Sequence, residues 1–186
     1  MNKLFNLFLL IFLLQSCTQS TVPRPSSQLR LEYPKPVYNK KASQYPFSLE
    51  INDFSTIESK QNGAIEVHYP QMKATVYLSY KPVKNDLEKL LTDAQKLTYK
   101  LHVMKADEIV EQPFVNPKNK VYGMFYSVGG DAASNALFYA TDSTKNFVTA
   151  SVYFYTKPNF DSILPASNYI ANDMKKMLET IKWENK

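Results

Sequence analysis

A single cysteine, Cys17, closes the segment Leu14-Gln15-Ser16-Cys17, and its surroundings specify a reaction. A charged start (Lys3), an apolar run over residues 4–14, then a small residue and a cysteine have the form of a bacterial lipobox ending a secretory signal peptide. The expected chemistry is diacylglycerol transfer to the Cys17 sulfur, cleavage before Cys17, and acylation of the amine so exposed. Gln15 is an uncommon residue two positions before such a cysteine. As a helix the apolar run covers only about 16 Å of a roughly 30 Å bilayer core, so it reads as a leader rather than a span. The competing reading is a secreted soluble protein with an incidental cysteine.

No other set of residues has the spacing that chemistry needs. His68 and His102 are the two histidines, and neither sits in a His-x-x-x-His or Glu-x-x-His pattern. Ser143 beside Asp142 lacks a Gly-x-Ser-x-Gly elbow and reads as a turn. Gly129-Gly130 lacks the third glycine and the following helix of a phosphate loop. Glu108 and Glu111 fall on opposite faces of their strand, and nothing points to a glycosidase-like carboxylate pair. Lys105-Ala106-Asp107-Glu108 reads as a charged loop. The expectation is no catalytic residue, no cofactor and no metal ligand, with lipid attachment at Cys17 as the one site.

The elements that would carry this anchor follow from composition and periodicity. Residues 1–16 hold only Lys3 among the charged residues, so removing them leaves 170 residues and lowers the formal charge from +5 to +4. That length suits one domain with a proper core. The charge is no nucleic-acid signal in an exported protein; it fits mild attraction to anionic membranes or partners. With Cys17 lipidated, no thiol remains for a disulfide, so packing must hold the fold. The chain is 44% hydrophobic with 13 Tyr, 11 Phe and only 4 Gly, which suggests a well-filled sheet.

Residues 17–44 read as the lipidated end and an extended, proline-broken tether. Within it Leu29, Leu31 and Tyr33 alternate, as a solvated linker or as a segment strapped across the domain. The compact domain is expected over residues 45–186. Strands are expected at 45–51, 64–69, 73–80, 108–114, 121–128, 136–141 and 147–155, where apolar residues alternate between turn signals. The short break at Pro70-Gln71 argues for an antiparallel hairpin. A helix beginning at the cap Asn85 carries a stripe of Leu87, Leu90, Leu91, Ala94, Leu97 and Leu101. A second is expected from about Asp161 to Trp183, with Pro165 in its first turn and Asn172, Asp173, Lys175, Lys176, Glu179 and Lys182 facing water. The fold class is α+β: a mostly antiparallel sheet packed with two amphipathic helices, an α/β sandwich loosely like the PsbP and Mog1 domains. Thr75, Tyr77, Tyr153 and Tyr155 point away from the core face. A helix covers this second face too, or it is an exposed aromatic patch for a protein partner.

The stretch Lys73-Ala74-Thr75-Val76-Tyr77-Leu78-Ser79-Tyr80-Lys81-Pro82 resembles the gliding-motility lipoprotein GldD family of Bacteroidetes. So do Asn119-Lys120-Val121-Tyr122-Gly123-Met124, Lys157-Pro158-Asn159-Phe160-Asp161-Ser162 and Glu179-Thr180-Ile181-Lys182-Trp183, in the same order along the chain. The resemblance implies a membrane-anchored envelope lipoprotein required for gliding motility and linked to type IX protein secretion. It implies a non-enzymatic assembly or interaction subunit whose partners are membrane lipid, through acylated Cys17, and other gliding or secretion envelope proteins, with no nucleic acid. Thr18-Gln19-Ser20-Thr21 holds no acidic residue, which favours the periplasmic side of the envelope. The alternative is a periplasmic ligand-binding or enzymatic domain with a groove between sheet and helices.

Overall fold

The computed structural model describes residues 32–42, 44–60, 64–102, 106–155 and 160–184. The lipobox, Cys17, Leu29 and Leu31 lie outside the described residues.

Alternation builds the strands. In β4 (Ala64–Tyr69) and β5 (Ala74–Pro82), Ile65, Val67, Tyr69, Ala74, Val76 and Leu78 are buried on one face. The two pair antiparallel with Val67 opposite Val76, as the short break between them predicts. β6 (Ala106–Asn116), β7 (Val121–Gly130), β8 (Ala136–Thr141) and β9 (Asn146–Phe154) form an antiparallel meander, and β9 returns to pair with β5. With β3 (Thr56–Ser59) at the edge, the seven-stranded order is β3-β4-β5-β9-β8-β7-β6. A second sheet of three strands has the order β1-β2-β10, from Tyr38–Ala42, Phe47–Asn52 and Lys182–Trp183. Strand pairing thus starts at Tyr38, within the stretch read as tether.

Helix α1 (Leu87–His102) lays Leu90 and Ala94 on Phe147 of β9, on the outer face of the large sheet. Helix α2 (Phe160–Thr180) lies on the inner face. Its Ile170, Met174, Met177 and Leu178 share one core with Phe47, Leu49 and Ile51 of β2, Val76 of β5 and Phe138 of β8. Each large apolar side chain buried there contributes about 1.5–3 kcal/mol. The architecture is three layers: α1, the seven-stranded sheet, then α2 beside the small sheet. It bears out the α+β class.

Several expectations need correction. Asn85 does not cap α1: its φ is 60°, and Asp86 is the residue whose carbonyl accepts from Leu90 N–H at 3.0 Å. Pro165 is the sixth residue of α2, past the first turn, where it forfeits one backbone hydrogen bond. Helix α2 stops at Thr180 rather than Trp183. The Thr180 hydroxyl donates to Lys176 O at 2.7 Å and accepts from Glu50 N–H at 2.9 Å, which fixes the helix end to β2 and lets the chain turn into β10. Asp173 does not face water; it is 1% exposed.

Candidate functional site

The described part of the tether is strapped to the domain. The Tyr33 ring lies 5.3 Å from that of Tyr169 on α2, and the Tyr169 hydroxyl donates to Pro34 O at 2.9 Å. One turn on, the Asp173 carboxylate accepts from Tyr38 OH at 2.6 Å, from Asn52 Nδ2 at 2.9 Å and from Tyr69 OH at 2.9 Å. Burial pushes the Asp173 carboxyl above its ordinary range, and the three hydrogen bonds only partly offset it. Burial and the neighbouring carboxylate push the Tyr38 and Tyr69 phenols up, so both stay protonated donors. This cluster joins β1, β2, β4 and α2. It ties the first strand to the last helix through a buried carboxylate that accepts hydrogen bonds from this chain's own Tyr38, Asn52 and Tyr69.

The outer face of the large sheet is only partly covered. Helix α1 packs over β9, β8 and the residues around Tyr139, while the β3-β4-β5 end carries polar and aromatic side chains. Tyr77 and Tyr153 are half-buried with ring centroids 5.8 Å apart, and Tyr155 is 62% exposed. A hydrogen bond with Tyr155 and then burial push the Tyr77 phenol up to about 12. Beside them Glu58, Glu66 and His68 converge. His68 Nε2 lies 3.5 Å from Glu58 Oε2 and 3.4 Å from Glu66 Oε2. His68 Nδ1 lies 2.9 Å from Thr75 Oγ1, and Thr75 is hydrogen-bonded in turn to the Tyr155 hydroxyl. The sequence places His68 and Glu66 one residue apart in a strand, but Glu58 arrives through cross-strand pairing that no local spacing reveals.

A wide groove of about 870 Å³ opens at one end of both sheets. Lys118, Lys120, Lys145 and Lys182 line it against Asp142 and Glu184, with Trp183 and Tyr80 as its aromatic walls. Its walls are tied together: Trp183 Nε1 donates to Lys120 O at 2.9 Å, and Tyr80 OH to Asn146 Oδ1 at 3.0 Å. Asp142 accepts from the backbone N–H groups of Thr144, Lys145 and Asn146 at 2.9, 2.7 and 2.9 Å. Burial alone would raise its pKa, but these hydrogen bonds outweigh it and hold the carboxyl below its ordinary range. Ser143, with φ 65°, is the corner of this turn and not a nucleophile poised on an elbow. Between α1 and the sheet the space is filled, with a residual cavity of about 10 Å³. The groove foreseen between sheet and helices is therefore not on this side; the large opening lies at the strand ends. A smaller apolar pocket of about 220 Å³ lies under Lys40 and Lys41, floored by Leu49, Ile57, Ile65 and Leu78.

Other residues weighed from the sequence stay apart. Glu108 and Glu111 pair with Gly129 and Tyr126, on opposite faces of β6, and Glu111 accepts a hydrogen bond from the Tyr99 hydroxyl of α1. The Gly129-Gly130 pair ends β7. The side chain of His102, and Cys17, lie outside the described residues.

The architecture is that of a three-layer α+β domain with the residues just before β1 held against α2. A family model described as gliding motility lipoprotein GldD matches residues 18–183, and the chain belongs to that family. Among curated proteins, none matches the chain. Membership implies a gliding-motility-associated lipoprotein attached to the cell envelope and suggests a non-enzymatic role. Among the described residues no helix is long and apolar enough to cross a membrane.

Proposed function

We propose that this chain is a lipid-anchored, periplasm-facing assembly subunit, linked to type IX protein secretion, that works by docking on other envelope proteins rather than by catalysis. The family match over residues 18–183 carries the reading. The lipobox at Cys17 supports the anchor: two or three acyl chains hold a protein at a membrane essentially permanently, where one chain does not. The lysine-lined groove supports the docking, because four lysines with a tryptophan and a tyrosine suit an acidic surface with an apolar centre. The contacts of Tyr33 and Pro34 with Tyr169 support the reading, because they hold the residues just before β1 against α2.

The test is crosslinking of tagged protein in intact envelopes, with Cys17→Ala alongside. Recovery of secretion or gliding subunits that depends on Cys17 supports the reading. Full motility and secretion in a soluble Cys17→Ala strain would overturn it. The groove volume also keeps a ligand-binding reading in view, since polar groups converge there around an opening of small-molecule size. Recovery of the protein alone, with motility still dependent on it, favours that reading.

A further inference from the structure

Strand pairing sets Glu58 directly opposite Glu66, and His68 follows Glu66 by two residues on the same face. One ligand atom from each of the three side chains lies within 4.8 Å of the others. The two histidine distances, 3.4 and 3.5 Å, carry geometric information. Ligand atoms held ~2.1 Å from a tetrahedral centre lie about 3.4 Å from one another. The two histidine–carboxylate edges thus match those of a metal's coordination shell, and the third edge, Glu58 to Glu66, lies within 4.8 Å.

The imidazole is also aimed. Its Nδ1 meets the hydroxyl of Thr75, a residue that is 0% exposed. In the tautomer with Nδ1–H donating to that hydroxyl, Nε2 is the nitrogen available to an ion held between the two carboxylates. Fixing the far nitrogen of a ligating histidine in this way is the usual role of a residue just outside a metal's own ligands. Three electron-pair donors facing one another repel unless a positive charge lies among them. In this structure Lys60 supplies it: its ammonium bonds Glu58 and lies 3.9 Å from Glu66. A lysine is a flexible point charge on a long stem, so it is a cation that can leave.

We propose that Glu58, Glu66 and His68 bind a divalent transition-metal ion of the zinc class, and that Lys60 is the built-in competitor for the site. The imidazole argues for that class over calcium or magnesium, which favour all-oxygen shells. Three protein ligands leave a fourth position for water or for a side chain of a docking protein. A bound ion staples the exposed edge strand β3 to β4.

The experiment is calorimetric titration of the full-length lipidated protein in detergent with zinc ions. Saturable one-to-one binding is expected, weakened at least about tenfold in Glu66→Gln and in His68→Ala. Zinc is expected to raise the Tm of the parent protein and not of those two variants. His68 also contacts buried Thr75, so circular dichroism verifies that His68→Ala folds. Lys60→Met keeps the test decisive if it does not: this change removes only the competing charge and is expected to tighten binding about threefold. Absence of saturable binding to the parent protein, or equal affinity in His68→Ala or Glu66→Gln, overturns the site. Unchanged affinity in Lys60→Met overturns the competitor's role.

Discussion

Tyr38 and Asp173 lie 135 residues apart in the chain, yet the Tyr38 hydroxyl donates to Asp173 Oδ1 at 2.6 Å. The bond closes the fold between its first strand and its last helix. It also makes a pH prediction, because burial raises the Asp173 carboxyl above its ordinary value of 3.8. The native state then keeps the proton to higher pH than the unfolded chain does. Stability contributed by this group is fully present below the unfolded value and falls as pH rises through the native one. Asp173→Asn removes the titration and sets an amide donor against the hydroxyls of Tyr38 and Tyr69. Near neutral pH it is expected to lower stability by about 1–3 kcal/mol. Urea unfolding across pH checks the sign: the deficit relative to the parent protein is smallest near neutrality, grows as pH falls through the raised native value, and levels off below about pH 4.

Two glycines of β7 make a matched pair. A Cβ on Gly123 would lie 2.1 Å from the carbonyl oxygen of Tyr139 and 3.2 Å from Ala140 Cα, both backbone atoms of β8 that cannot swing aside. At Gly129 the nearest atom is Glu108 Cβ at 3.9 Å. Gly123→Ala is expected to destabilise by about 3 kcal/mol or more, at the upper end of overpacking costs. Gly129→Ala is expected to be neutral or to stabilise by up to about 1 kcal/mol, through lost chain entropy. Denaturant midpoints of the two variants give the comparison directly.

The strap has its own readout. Tyr169→Phe removes the donor to Pro34 O and the acceptor for Asn52 Nδ2 while keeping the ring that meets Tyr33. It is expected to lower global stability by only about 1–2 kcal/mol. Its larger effect falls on β1, whose amides should exchange faster than those of the β5–β9 pair. Equal protection of β1 in parent and variant would show that the strap does not hold the strand.

Charge reversal probes the groove. Lys145→Glu with Lys182→Glu changes two of its four lysines. Such surface changes cost at most about 0.5 kcal/mol each, so the pair leaves Tm within about 2–4 °C. Crosslinking to acidic partners is expected to fall, and the residual crosslinking to lose its salt dependence. An unchanged crosslink pattern would remove the groove as the docking surface.

The legible parts of this fold are those whose signal is local. Ile65, Val67, Val76 and Leu78 alternate because one face of β4 and β5 is buried. The Leu87, Leu90, Leu91, Ala94 stripe marks the covered face of α1 just as directly. Thr56–Ser59 was not legible as a strand: all four residues are exposed, and it exists by pairing with β4 at the sheet edge. Asp173 was misread for the opposite reason. Its neighbours Lys175 and Lys176 are polar, and no local pattern shows that Tyr38, Asn52 and Tyr69 wait for it across the fold. The triad of Glu58, Glu66 and His68 shares that difficulty, since cross-strand register brings it together. For Cys17 the expected lipid attachment rests wholly on adjacent residues, which lie outside the described fold.

The strap also defines a load path. A pull delivered from the N-terminal side reaches Tyr33 and Pro34 first, then the bonds of Val37 to Asn52 and Asp53, and then Tyr38, where the Asp173 bond and the β1–β2 ladder begin together. The first contacts are few and can yield and re-form individually, whereas the ladder and the core behind it are cooperative. Under such a load the contacts ahead of β1 act as a sacrificial clasp, freeing several residues while the body of the protein stays folded.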